Sequence, residues 1–177
     1  MKRWILRLVG GITLAGAIVF VLAWLTLRAS LPDLDGEFVV EGLTARATIE
    51  RDAEGIPTIS AGTRADLAFA TGYAHGQDRF FQMDLIRRQG AGELSELFGS
   101  LTIDTDKRYR FHRFRGRAEA AVAILSSAEL ELLENYTAGV NAGLASLAAK
   151  PFEYFLLGVD PQPWLAEDSV LSFTRCS

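Results

Sequence analysis

Several hydrophobic patterns follow one another along the chain, and each predicts a different element. Leu8 to Leu27 holds no charged residue and closes at Arg28, about the twenty residues a helix needs to cross a hydrocarbon core. Lys2, Arg3 and Arg7 precede it, and positive charge of this kind stays on the cytoplasmic side. A cleavable signal has a shorter apolar region, roughly 7–15 residues, and a small-x-small cleavage site, whereas Leu27-Arg28-Ala29 places a leucine where a small residue is wanted. Residues 1–29 therefore predict a signal anchor in the inner membrane, with residues 8–27 in the bilayer and the rest of the chain on the periplasmic side. The alternative is a cleaved signal and a periplasmic product.

Residues 30–43, with Pro32, Asp33, Asp35 and Gly36 in their first half, read as a polar connector. The period then changes to two. Ala45, Ala47 and Ile49 alternate with Arg46, Thr48 and Glu50, the mark of a half-buried strand. Asp52-Ala53-Glu54-Gly55 predicts a turn with positive φ at the glycine, and Ile56 to Ala61 the returning strand. Pro57 cannot donate to a ladder, so it belongs at an edge or a bulge.

From Thr63 the period is helical. Thr63 with Asp66 three residues on forms a helix-start signature, followed by a stripe of Leu67, Ala70, Thr71, Ala74, Phe81 and Leu85. Asp78 falls within that stripe, where a carboxylate needs a partner. His75, Asp78 and Gln82 lie three and four residues apart and predict a polar row on one side of the helix, either the wall of a site or a satisfied structural group. Phe111, Phe114, Ala118, Ala121, Val122 and Leu125 keep one helical face inside the basic stretch 107–117. That spacing sends the aromatics to a core and the arginines to water, and argues against a nucleic-acid surface. Ser126 with Glu129 is a second capping box, opening a stripe of Leu130, Leu133, Val140, Leu144 and Leu147. Gly139 and Gly143 sit one turn apart on it; each costs about 1 kcal/mol relative to alanine in a helix, which predicts close approach by a neighbouring backbone. Pro161-Gln162-Pro163-Trp164 breaks the pattern, and Glu167 and Asp168 suit the first turn of a last helix, uncapped at Ser177. A chain cut short of a longer precursor is the expectation.

Composition narrows the chemistry. Past residue 29 the length fits about one domain, and a net charge of -4 selects no class of partner. Cys176 is the single cysteine, and His75 and His112 are the two histidines, which excludes an intrachain disulfide and any cysteine- or histidine-rich metal site. No Gly-x-Ser-x-Gly elbow occurs. Gly99-Ser100 has the small residue before a hydroxyl that self-cleavage uses, but a cut there leaves too few strands for a second sheet.

Taken in order, Arg51-Asp52-x-x-Gly55-Ile56-Pro57, Asp66-Leu67-x-Phe69-Ala70-x-Gly72-Tyr73-x-His75-x-Gln77-Asp78-Arg79-x-Phe81-Gln82-Met83, Arg87-Arg88, Ala91-Gly92-Glu93-Leu94-Ser95-Glu96-Leu97-Phe98-Gly99, Tyr136-x-x-Gly139-Val140-Asn141-Ala142 and Pro163-Trp164-x-x-Glu167-Asp168 resemble the amino-terminal part of the penicillin acylase (penicillin amidase) family of N-terminal-nucleophile hydrolases. The resemblance covers roughly residues 44–173. It departs at Gly76, where the family often has alanine, a change expected to loosen the helix without removing a functional group. It implies an α+β fold: part of a four-layer αββα sandwich, mostly helical in this chain, preceded by the transmembrane helix and occupying residues 44–177. It also implies a precursor that cuts itself and a nucleophilic serine at the new amino terminus of a large second chain absent here, so the resemblance assigns no catalytic, cofactor-binding or metal-ligating residue to this chain. The serine's own α-amino group, with an ordinary pKa near 8, serves as base. Part of the acyl pocket and a calcium ligand of the complete enzyme are expected from residues after the helix that starts near Ala166. The expected substrate is an N-acyl amide of penicillin or acyl-homoserine lactone type. The alternative is a non-catalytic, membrane-anchored binding module on the same scaffold.

Overall fold

A computed structural model of the chain describes residues 2–173; Cys176 lies outside the described residues. The order is α1 (Lys2–Ala29), β1 (Thr48–Arg51), β2 (Pro57–Ser60), α2 (Arg64–Ala91), α3 (Ser95–Phe98), a 3-10 turn (Gly99–Thr102), α4 (Ile103–His112), α5 (Phe114–Ala123), α6 (Ser127–Ala145), α7 (Phe152–Leu157) and α8 (Ala166–Phe173). β1 and β2 form an antiparallel hairpin with Arg51 opposite Pro57 and Thr48 opposite Ser60. Proline thus ends the ladder. Gly55 takes φ +80° in the turn, and the Asp52 carboxylate accepts from the amides of Glu54 and Ile56 at 3.0 and 2.8 Å, which fixes the turn locally. Both helix-start signatures form. Thr63 accepts from the Asp66 amide, and Ser126 and Glu129 satisfy each other's backbone donors reciprocally.

The centre of the molecule is the pairing of α2 with α6. A Cβ on Gly139 would meet the Phe69 carbonyl, and one on Gly143 the Tyr73 carbonyl; in return, Gly72 faces the Tyr136 carbonyl and Gly76 the Val140 carbonyl. Four glycines, two per helix, therefore let the backbones touch. This corrects the reading of Gly76 as a loosening change, since an alanine there would strike the backbone of α6. Phe80, Val140, Tyr154 and Trp164 form the larger buried cluster, and Ala91, Ala118 and Leu171 a smaller one.

Two expectations fail. The basic stretch is not one helix: Arg113 takes φ 53° and ψ 40° and separates α4 from α5. The turn sends Phe111 out to 84 % exposure while Ala118 stays buried. Nor do all the arginines face water. Arg110 donates to the Gly92 carbonyl at 2.7 Å, and Arg115 grips Glu93 through two bonds of 2.8 and 2.7 Å.

Candidate functional site

The polar row on α2 does not act as a unit. α2 bends at Arg79, whose φ of −146° is outside the helical range; His75 and Asp78 before the bend turn to different neighbours, and Gln82 lies beyond it. His75 Nδ1 lies 2.9 Å from the Tyr136 hydroxyl, ring edge to ring face. Burial pushes its imidazole below the ordinary value, the Arg79 cation pushes the same way, and Asp78 opposes them. Asp78 is not enclosed in the core: it receives both arms of the Arg51 guanidinium at 2.8 and 2.9 Å, with side chains 15 % and 24 % exposed for Arg51 and Asp78. The pair pins the hairpin to α2. Gln82 is exposed. Arg51 and Gln77 also line a cleft of about 330 Å³ between the connector, the hairpin and α2, whose apolar wall includes Phe38, Leu43, Phe69 and Tyr73.

The heavier polar construction lies one turn further along α2. Asp84 is fully buried. Its Oδ1 accepts from Arg87 Nε at 2.7 Å and Arg88 Nε at 2.9 Å, and its Oδ2 from the Tyr154 hydroxyl at 2.7 Å. Arg87 goes on to Asp168 Oδ2 at 2.5 Å and to the carbonyls of Pro163 and Gln162 at 2.7 and 2.9 Å, with the Trp164 ring 5.2 Å from its guanidinium. Arg88 reaches Glu96, and Arg115 bridges Glu93 and the other oxygen of Asp168. The network sets Arg87, Arg88 and Arg115 against Asp84, Asp168, Glu93 and Glu96. Each arginine meets a carboxylate, as buried charges require. Asp168 also accepts from the Leu165 amide at 2.8 Å and so caps the first turn of α8.

The electrostatics keep these groups in place rather than ready to react. Burial, and then the Asp84 charge, push the Tyr154 phenol far above its ordinary value, so it remains a hydrogen-bond donor. Arg115 is raised chiefly by its bonds to Glu93. In Arg88 burial pulls down, but Asp84 and Glu96 outweigh it and the net shift is upward. With both Asp84 oxygens engaged, the arrangement orients elements and presents no free acid, base or nucleophile. The acidic residues suited to the first turn of α8 were legible in the sequence, but the pairing of Asp168 with Arg87 and Arg115 was not. Arg87-Arg88 entered only as part of a family pattern, and Asp84 at i−3 and i−4 is the signal that ties them together.

Among the described residues no group of three or more His, Cys, Asp or Glu side chains is arranged to hold a metal ion. The calcium ligand that the resemblance implies for the complete enzyme is expected from residues after α8, outside the described residues.

Comparison with known proteins supplies the context for this scaffold. The chain is 41 % identical over 149 residues to penicillin acylase 2 proenzyme of Pseudomonas sp. (strain SE83), covering 84 % of this chain and 19 % of that protein. It is 36 % identical over 154 residues to the acyl-homoserine lactone acylase QuiP of Pseudomonas aeruginosa, covering 85 % of this chain and 18 % of that one. The chain thus spans about a fifth of the length of the curated relatives it matches. Among solved structures, the thermostable penicillin G acylase from Alcaligenes faecalis matches with a TM-score of 0.65 and 27 % identity, covering 73 % of this chain and 70 % of that chain. The family model described as penicillin amidase matches residues 46–176, so the chain belongs to the penicillin amidase family.

Proposed function

We propose that this chain is the amino-terminal part of a membrane-anchored N-acyl amide hydrolase whose nucleophile, a serine at the amino terminus of a large second chain, lies outside it. The observation that carries this reading is the family match across residues 46–176 to proteins named as acylases and about five times longer. In this reading the serine hydroxyl attacks the amide carbonyl while its own α-amino group takes the proton, and backbone or side-chain donors of the second chain stabilise the oxyanion. The amine leaves with that proton, and water then releases the acid. The layers of the αββα sandwich are completed by the second chain.

What this chain contributes is placement. Arg87 and Arg115 bind α2 and α5 to the start of α8, while Arg88 ties Asp84 to Glu96 on α3, and the network therefore sets the direction in which the chain leaves α8 toward the acyl pocket. Asp84, Arg87 and Asp168 are positioning residues in this account. α1 is long and apolar enough to cross a membrane from Val9 to Ala29, and it holds the domain on the periplasmic face.

Two measurements test the proposal. The purified chain should release no product from phenylacetyl or fatty-acyl amide chromogens, and the coding sequence read on past Ser177 should supply a Gly-Ser junction followed by a large second chain. Turnover by the chain alone that survives removal of contaminating hydrolases would overturn it.

A further inference from the structure

The end of α1 is tied to a part of the domain that carries an apolar surface of its own. The Ala29 carbonyl accepts from the Ala149 amide at 3.0 Å, and the Ser30 hydroxyl donates to the Lys150 carbonyl at 2.8 Å. α7 begins two residues later, at Phe152. At no more than about 3.6 Å per residue, its first turn starts within roughly 7 Å of chain from the point where the apolar helix ends.

α7 is amphipathic in a reversed sense. Tyr154 points inward to Asp84 and is fully buried, while Phe152, Phe155 and Leu156 are 43, 44 and 80 % exposed. The end of α1 and the approach to α7 carry residue types that favour a membrane–water boundary. Trp24 carries the Arg28 guanidinium 5.5 Å from its ring, and the Lys150 ammonium lies 5.1 Å from the Phe155 ring. Leu31, 66 % exposed, lies two residues after the end of α1. Large side chains are exposed elsewhere too, Leu34, Phe38 and Val39 in the connector and Leu101, Ile103 and Ile124 on the helical body, but the bonds that Ala29 and Ser30 make to the helical body go to residues 149 and 150 beside α7.

We propose that α7 is an interfacial foot, with Phe152, Phe155 and Leu156 inserted into the bilayer surface beside the point where α1 emerges. This rests on the reading of α1 as a membrane span. The occupant is lipid because the surface is held at the end of the span by one main-chain and one side-chain hydrogen bond, so a spanning α1 brings α7 to the headgroup level. The charge balance identifies the lipid chemistry. Arg28 and Lys150 are matched by Glu153 and Asp160, and Lys150 is bonded to Asp160 at 2.7 Å. With no excess positive charge the attraction is apolar, and zwitterionic lipid suffices. The foot fixes the height and tilt of the whole domain, since Tyr154 on its inner side joins the network that sets α8.

The test uses the full chain in phosphatidylcholine vesicles, with Cys176→Ser as background and single cysteines introduced by Leu156→Cys, Val19→Cys and Leu101→Cys, each carrying an environment-sensitive fluorophore. Nitroxide-labelled lipids should quench the labels at positions 19 and 156 and leave that at 101 unaffected, and adding phosphatidylglycerol should not increase quenching at 156. Quenching at 19 without quenching at 156 would overturn the foot and leave the anchor standing; loss at both would overturn the anchor and the foot with it. A label at 156 shielded from aqueous iodide but untouched by lipid nitroxides would place a protein surface there and overturn the proposal. The triple variant F152S/F155S/L156S should still sediment with vesicles through α1, while its domain becomes accessible to protease in the stretch 148–160.

Discussion

At the scale of single residues, buried charge decides most. Asp84 answers two arginines and a tyrosine with two oxygens, so its loss leaves Arg87 and Arg88 short of counter-charge in a region closed to water. Removing one partner of such a pair typically destabilises by about 3–5 kcal/mol. Asp84→Ala should therefore fall in that range, measured by denaturant titration of the full chain in detergent, and Tyr154→Phe should lose less, about 1.5–3 kcal/mol for one bond to a charged group. His75 carries a different signature. Its folded pKa lies below the ordinary 6.5, so between those two values the unfolded chain binds the extra proton. Stability contributed by the neutral ring is complete above pH 6.5 and falls as pH drops through that window. Stability followed from pH 7.5 to 5 should slope downward in the native chain and lose part of that slope in His75→Gln. Equal slopes would show that burial of His75 does not govern the effect. Asp66 should act at lower pH, because its bonds from the Thr44 amide and hydroxyl and from Thr63 hold its carboxyl below the usual range; that contribution is lost as pH falls below about 4.

At the scale of elements, the α2–α6 pair sets the tolerance to change. Alanine is the better helix former by about 1 kcal/mol, yet a methyl at Gly76 or Gly139 meets a carbonyl of the other helix, and overpacking costs about 1–3 kcal/mol. Gly76→Ala and Gly139→Ala should both come out destabilising, whereas Gly116→Ala, with open space at its Cβ, should be neutral or better; thermal or denaturant melts compare them directly. Much of this level was legible beforehand. Thr63, Ser126 and Gly55 announce themselves because a cap or turn involves residues close in sequence, and Gly139 and Gly143 did so because two glycines in a helix need a reason. The break at Arg113 was hidden, since a left-handed arginine carries no local mark. The network was hidden for a related reason: Asp84, Arg87 and Arg88 have the spacing of a solvated helix face, and only Tyr154 and Asp168, some seventy to eighty positions away, show that the face is covered. Asp78 was expected to need a partner, but Arg51 arrives from the hairpin and no helical periodicity points to it.

At the scale of the whole molecule, a two-stranded hairpin and a helical body are joined to one long apolar helix. A hairpin of this size is marginal by itself in water, and here Arg51 and Asp78 attach it to α2. The family relation to acylases accounts for the common order of motifs, while the anchor is read from α1 alone. Expressed in a Gram-negative host, the chain should remain with the inner membrane after an alkaline carbonate wash; a soluble periplasmic product shortened by roughly thirty residues would reveal a cleaved signal instead.

The arrangement of charges around Asp84 also bears on the order of assembly during synthesis. Chains emerge amino terminus first, so α2 is exposed well before Tyr154 or Asp168 has been made. Arg87 and Arg88 come three and four residues after Asp84 on the same helix, and the nascent segment therefore neutralises its own carboxylate with neighbours already present. Tyr154 and then Asp168 join three charges already brought together, and α8 closes over a carboxylate that its own helix neutralises.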